Sequence, residues 1–304
     1  MIAAEQTFND TFPFRPHFTD ASGFQMHFVD EGKGEPIVCL HGEPTWGYIF
    51  RKFIPELSKH HRVIVPDHMG FGKSETPADR EYTLGTHVDN LEALLLELDL
   101  RDITLVMQDW GGPIGGGFAL RHPDRVKRLC LMNTVVPLRL PIEQELFPRN
   151  AESGWFRWIR RAQEDGSLDE VLGNLGVTAL SVMKLLGFEN SAAVDWTWID
   201  AYSAHFRSKA DCIGAINFPL DFVTGKWARF QAGGPHEVEA LRHKPAMLAE
   251  GLNDRAILPE IVIKHFKAAF YQGVVVEIPE AGHFCQEDKP EVLIALIEQF
   301  AQVT

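Results

Sequence analysis

Short apolar runs alternate with stretches of helical spacing along the first half of the chain. Pro36–Leu40 (PIVCL), Arg62–Pro66 (RVIVP) and Ile103–Met107 (ITLVM) are continuous in apolar character, the pattern of strands covered on both faces. Gln25–Val29 and Val126–Asn133 predict two further strands, and the turn EGKGEP with its two glycines follows the first of them. Between the strands, Trp46–Leu57, His87–Leu98 and Gly112–His122 have helical periodicity. In the second of these, Val88, Leu91, Leu94, Leu95 and Leu98 form one stripe. Strand–helix alternation of this kind predicts a parallel sheet with helices on both faces. The rhythm breaks after Val136. From Pro137 to about Lys226 come only helix-like pieces: Glu143–Phe147, Gly154–Gln163, Leu168–Leu175, Ala179–Leu186 and Ala192–Phe206. This segment reads as a helical insertion lying over the sheet. Strands resume at Ala246–Glu250 (AMLAE) and Val274–Ile278 (VVVEI), and a helix over Pro290–Gln299 closes the chain.

Composition narrows the class without naming a function. The chain has 304 residues, enough to bury a core without covalent staples. A formal charge of −13 disfavours nucleic acid and anionic membrane as partners. Cys39, Cys130, Cys212 and Cys285 lie far apart with no C-x-x-C pair, so they read as reduced, buried thiols. The opening MIAAEQTFNDTFPF lacks the basic and continuously apolar regions of a signal peptide. No stretch approaches the roughly 20 apolar residues of a membrane span. A soluble, cytoplasmic protein is expected.

The candidate chemistry lies where strands end. In Val106–Gly112 (VMQDWGG) a strand enters a helix through a tight turn that carries Asp109, the place of a nucleophile elbow with aspartate instead of serine. An aspartate there could equally cap the helix. His41-Gly42-Glu43-Pro44 follows the PIVCL strand, where the backbone N–H of Glu43 would join that of Trp110 in an oxyanion hole. Asp67–Ser74 (DHMGFGKS) brings a phosphate loop to mind, but Asp67 stands where that motif needs its first glycine. Asp254 follows the AMLAE strand, and Gly282-His283-Phe284 follows VVVEI. The order nucleophile, acid, histidine is that of the α/β-hydrolase triad.

On these residues the chain resembles the α/β-hydrolase superfamily and, within it, the haloalkane dehalogenases. HGEPTW at 41–46, Asp67–Ser74, Gln108-Asp109-Trp110-Gly111-Gly112, Asp254 and Gly282-His283-Phe284 carry the likeness, which is close over 29–133 and from Pro245 onward. It implies an α/β-hydrolase fold: a mostly parallel eight-stranded sheet flanked by helices, with an inserted helical cap. The core would span 1–136 and 227–304, and the cap 137–226. Asp109 would be the nucleophile, His283 the base and Asp254 the acid that orients it, with Glu43 and Trp110 binding oxyanion and halide. The substrate would be a small apolar haloalkane, with no cofactor or metal. Another subgroup places the acid where this chain has Asn133. Met107 departs from the family pattern, which commonly has a smaller residue there. The family's second halide-binding tryptophan has no clear counterpart in the insertion; Trp196, Trp198 and Asn190 are candidates.

The leaving group separates the alternatives. Halide departs as an anion and needs only donors, which an indole N–H supplies. Epoxide opening yields an alkoxide that needs an acid, and Asp-nucleophile epoxide hydrolases use cap tyrosines for it. The chain has seven tryptophans but four tyrosines, and of these only Tyr202 falls in the insertion. Dehalogenation is the expected reaction; epoxide hydrolysis and β-lactone cleavage remain as alternatives.

Overall fold

The computed structural model describes residues 1–304. Eight strands form one sheet: β1 (His17–Thr19), β2 (Met26–Gly32), β3 (Pro36–Leu40), β4 (Arg62–Pro66), β5 (Ile103–Gln108), β6 (Val126–Met132), β7 (Ala246–Gly251) and β8 (Val274–Ile278). Their spatial order is β1-β2-β4-β3-β5-β6-β7-β8. The pairings of β2 with β1 and with β4 are antiparallel, and all others are parallel. The eight-stranded, mostly parallel sheet expected from the sequence is present.

The apolar runs become strands because helices cover both sides of them. Every residue of β3, β5 and β7 is buried, as continuous hydrophobic strands require. At the edge, β8 is half-exposed along most of its length despite its valines. The three-residue β1 was missing from the sequence reading because HFT is too short to show a period.

Helices α1 (Phe53–Leu57), α2 (Leu84–Glu97) and α3 (Gly111–Arg121) lie within the βα rhythm. The single helix expected over Trp46–Leu57 is instead a 3-10 turn, Gly47–Phe50, followed by α1. The restart places Pro55 in the first turn of α1, where its missing N–H costs nothing. Between β6 and β7 the chain is helical, beginning with α4 (Glu143–Asn150) and α5 (Gly154–Asp165). A helix at Ile213–Val223, which contains Pro219, and another at Pro235–Arg242 were not predicted. No helix is long and apolar enough to cross a membrane.

The Asp67–Ser74 segment is a structural hub. Asp67 is fully buried; its carboxylate accepts hydrogen bonds from Gly47 N–H and Lys73 N–H, both at 2.8 Å, and meets His27 Nδ1 at 2.8 Å. The Lys73 ammonium donates to Ala4 O at 2.7 Å. The lysine that resembled a phosphate ligand is therefore spent on the N-terminal segment. All four cysteines are free and buried.

Candidate active site

The carboxyl ends of β3, β5, β6, β7 and β8 lie side by side, the face where open α/β sheets place their sites. Glu43 leaves the end of β3, Asp109 follows β5, Asn133 follows β6, Asp254 lies beyond β7 and His283 beyond β8.

Asp109 has φ +49°, a left-handed conformation that costs a non-glycine residue about 1–3 kcal/mol. That turn aims the carboxylate away from the helix: α3 carries no side-chain cap, so the capping alternative does not hold. Instead Oδ1 accepts the backbone N–H of Glu43 at 2.8 Å. The close approach requires glycine at 42, because a Cβ there would lie 2.1 Å from Asp109 Oδ1. Thr134 Oγ donates to the Asp109 carbonyl and fixes the elbow from the β6 side.

His283 Nε2 faces Asp109 Oδ2 at 3.4 Å, and its Nδ1 meets Asp254 Oδ2 at 2.8 Å. The other oxygen of Asp254 accepts from Ala256 N–H and Ile257 N–H at 2.7 and 2.9 Å. Asn133 Nδ2 donates to Asp254 Oδ2 at 3.0 Å and to Gly251 O at 3.0 Å, while its Oδ1 takes Gly251 N–H. Asn133 thus braces Asp254 from the end of the neighbouring strand β6. The His283 loop is braced in turn by Gln108 Nε2, which donates to the His283 carbonyl at 3.0 Å.

Burial alone would depress the imidazole of His283. The charges and hydrogen bonds of Asp254 and Asp109 outweigh it and push the group up to about 10. Glu43 is the opposite case. Burial and then the charge of Asp109 push its carboxyl well above the ordinary range. Glu250 is raised in the same way by burial and by Asp254.

Asp109 and Trp110 open onto a cavity of about 60 Å³ lined mainly by apolar groups, among them Phe147, Phe156, Phe222 and Ile261. Trp110 stacks on Phe218 from the insertion, with centroids 4.7 Å apart and planes 12° apart. Its indole N–H has no acceptor within the protein. A wider groove of about 960 Å³ shares Pro113, Pro137, Phe147, Phe222 and Trp227 with the cavity and leads outward. No group of histidine, cysteine and acidic residues is arranged to hold a metal ion.

The three candidates for a second halide donor lie elsewhere. Trp196 is 81% exposed. Trp198 is buried flat against Phe188, 5.1 Å away at 8°. The Asn190 amide donates to Glu287 O, and its backbone N–H to Asp288. Tyr202 is also turned away, with its hydroxyl on Glu287 Oε1. Of the cavity residues only Asp109 and Trp110 were expected from the sequence; Asn150 and Phe147 are among those missed. Both sit on α4, which the sequence showed only as a helix-like piece over Glu143–Phe147 that stops short of Asn150. Chemically, the arrangement offers a partly exposed carboxylate with one oxygen held by Glu43 N–H and the other facing His283, an imidazole between two carboxylates, and a largely apolar chamber.

Comparison with known proteins places this geometry. An alpha/beta hydrolase fold family model matches residues 35–290. A cis-3-alkyl-4-alkyloxetan-2-one decarboxylase of Shewanella oneidensis is 31% identical over 96% of this chain and 90% of its own length. Haloalkane dehalogenase 2 of Mycobacterium tuberculosis is 31% identical over 95% of this chain and 96% of its own. Among solved structures, haloalkane dehalogenase DpaA of Paraglaciecola agarilytica NO2 superposes with a TM-score of 0.72 at 31% identity, covering 93% of this chain and 92% of that one. With the sheet order, the elbow and a family match spanning most of its length, this chain belongs to the alpha/beta hydrolase family.

Proposed function

We propose that this protein hydrolyses haloalkanes to a primary alcohol and halide through an alkyl ester on Asp109. The observation that carries the reading is the Asp109 carboxylate, held on Oδ1 by Glu43 N–H, facing His283 on Oδ2, and lining an apolar cavity beside Trp110. A carboxylate oxygen attacks the sp³ carbon, and the carbon–halogen electron pair leaves with the halide. No proton is needed for that departure; the Trp110 N–H receives the anion. Water then loses a proton to His283 Nε2 and attacks Asp109 Cγ. The N–H groups of Glu43 and Trp110 hold the resulting oxyanion. On collapse His283 returns its proton to the alcohol oxygen, and the proton of the regenerated acid goes to solvent.

The charge on Asp109 has a second use. While it is ionised it helps to hold His283 protonated. Esterification removes that charge and so lowers the proton affinity of the imidazole at the stage where it must act as a base.

Epoxide opening fits less well, because no tyrosine lines the cavity and Tyr202 is engaged by Glu287. A second reading, β-lactone cleavage, is supported by the identity with the oxetanone decarboxylase. There Asp109 would displace the ring carboxylate from carbon. The ester would then lose CO₂ as the Asp109–carbon bond breaks, leaving an alkene and the free carboxylate.

Halide release from a panel of chlorinated, brominated and iodinated alkanes, run beside β-lactone and epoxide substrates, separates these readings. Bromide release is expected. In His283→Gln the peptide containing Asp109 should gain the mass of the alkyl group. No halide from any substrate and no added mass would overturn the proposal.

A further inference from the structure

We infer that the outer groove is a substrate subsite in which Arg139 binds a carboxylate, carried at the far end of an alkyl chain whose near end reacts at Asp109. This rests on the reading that Asp109 displaces an anion from carbon.

Size is the first observation. The inner cavity measures about 60 Å³ and has room only for the reacting end of a molecule, whereas the groove measures about 960 Å³. Sites that hold drug-sized ligands span about 300–1,000 Å³. Five residues line both spaces, so the chamber opens directly into the groove. Leu138, Leu140 and Phe230 continue the apolar lining outward, which suits an alkyl chain.

Charge is the second observation. Three charged side chains line the groove: Arg139, Glu143 and Arg160. Glu143 is spent within the protein. Its Oε1 accepts Leu138 N–H at 2.8 Å and meets His265 Nε2 at 3.0 Å, and its Oε2 accepts Arg139 N–H at 3.0 Å. Arg160 pairs with Glu152 at 2.9 Å and donates to Ala151 O at 2.7 Å. Arg139 forms no ion pair. Its Nη2 donates to Ala228 O at 3.2 Å and to Phe230 O at 2.9 Å, which holds the guanidinium against the groove wall. Nε and Nη1 have no acceptor within the protein, so three N–H bonds are left for a ligand. A guanidinium held in place is matched to a carboxylate, and a single unpaired cation calls for a monoanion. The substrate class is therefore an ω-haloalkanoate, hydrolysed to the ω-hydroxyalkanoate and halide. The sequence Leu138-Arg139-Leu140 gives no sign of this, because the charge is set by which partners the fold supplies.

Bromide release is measured for ω-bromoalkanoates from butanoate to dodecanoate and for their methyl esters, which remove the charge at the far end. At the chain length that reaches from Asp109 to Arg139 the acid should be preferred over its ester. The preference should lie in KM and should weaken with added salt. Arg139→Met should reduce it about threefold to tenfold, and Arg139→Lys should restore part of it. Arg139→Gln replaces the methionine variant if melting curves show that the latter does not fold. Decanoate, which has no leaving group, is titrated by calorimetry below its micellar concentration against parent and variants.

Esters that match the acids at every length overturn the inference, as does an Arg139→Met protein that keeps both the preference and the affinity for decanoate. If no substrate releases bromide but decanoate binds and Arg139→Met weakens it, the subsite stands and the dehalogenase reading falls. If neutral bromoalkanes are turned over while decanoate does not bind, only the inference falls.

Discussion

The imidazole of His283 lies between two carboxylates, Asp254 on Nδ1 and Asp109 on Nε2. Its protonated form is stabilised in the folded protein, with the group pushed from 6.5 up to about 10. The sign of the linkage follows: this contribution to stability is complete below the ordinary imidazole value and is lost as pH rises through about 10. Asp109→Asn removes one of the two charges. We expect the His283 ring protons to titrate at lower pH in that variant by NMR, and the loss of stability in alkali, which starts above the ordinary imidazole value in both proteins, to be complete at lower pH and to be smaller. An unchanged titration would mean that Asp109 does not control the protonation of His283. Trp110→Phe keeps a ring to stack on Phe218 and deletes the N–H. Its kcat/KM for bromoalkanes should fall about tenfold or more, whereas near-normal turnover would point to a leaving group that needs no donor. These residues were legible in the sequence because each follows a strand in a short, specific motif. Asn133 was noted only as the alternative acid position. Its bracing of Asp254 depends on the parallel neighbours β6 and β7, which no local pattern reveals.

At the scale of elements, β5 and α3 explain an apparent anomaly. Met107 is larger than the residue the family resemblance leads one to expect two positions before Asp109, and it is fully buried. The room comes from Gly115 on α3: a Cβ there would lie 2.6 Å from Met107 Sδ and 2.7 Å from Leu40 Cδ1. Gly115→Ala should therefore cost about 1–3 kcal/mol through overpacking, although alanine is the better helix former. Met107→Ala alone should cost about 2–5 kcal/mol through the cavity it leaves. Urea denaturation of the double variant should show less than the sum, because the new methyl fills part of the space the methionine vacates. Strict additivity would show that the helix and strand do not share this contact. The same elements show why the sheet was readable. β3 matched its predicted ends, and β5 and β7 ran one residue beyond theirs, since a strand buried on both faces leaves a bounded apolar run. The insertion gave no such signal. Its helix at Ile213–Val223 carries Pro219 internally, and Leu168–Leu175 divides into an α-turn and a 3-10 turn.

Across the whole molecule, the insertion is tied to the sheet by buried polar contacts away from the cavity. Trp46 Nε1 donates to Ala201 O at 2.7 Å. Glu287, fully buried four residues after His283, binds Arg51 Nη2 at 3.0 Å and accepts the Tyr202 hydroxyl. Asp288 beside it accepts from Gly282 N–H at 2.9 Å and from Glu189 and Asn190 N–H at 2.9 and 2.8 Å. The loop that presents His283 is thus the junction between sheet and insertion. Two variants distinguish anchoring from chemistry. Tyr202→Phe leaves the Arg51–Glu287 pair intact and removes one hydrogen bond, so it should lower stability by about 0.5–1.5 kcal/mol with haloalkane turnover unchanged. Glu287→Gln strands the largely buried Arg51 charge and should cost about 3–5 kcal/mol. Thermal unfolding and bromide release, measured on both, check the pair. A Tyr202→Phe protein that folds as well as the parent but loses turnover would place the tyrosine in the chemistry. It would return epoxide opening, with its need for a proton donor, to the front.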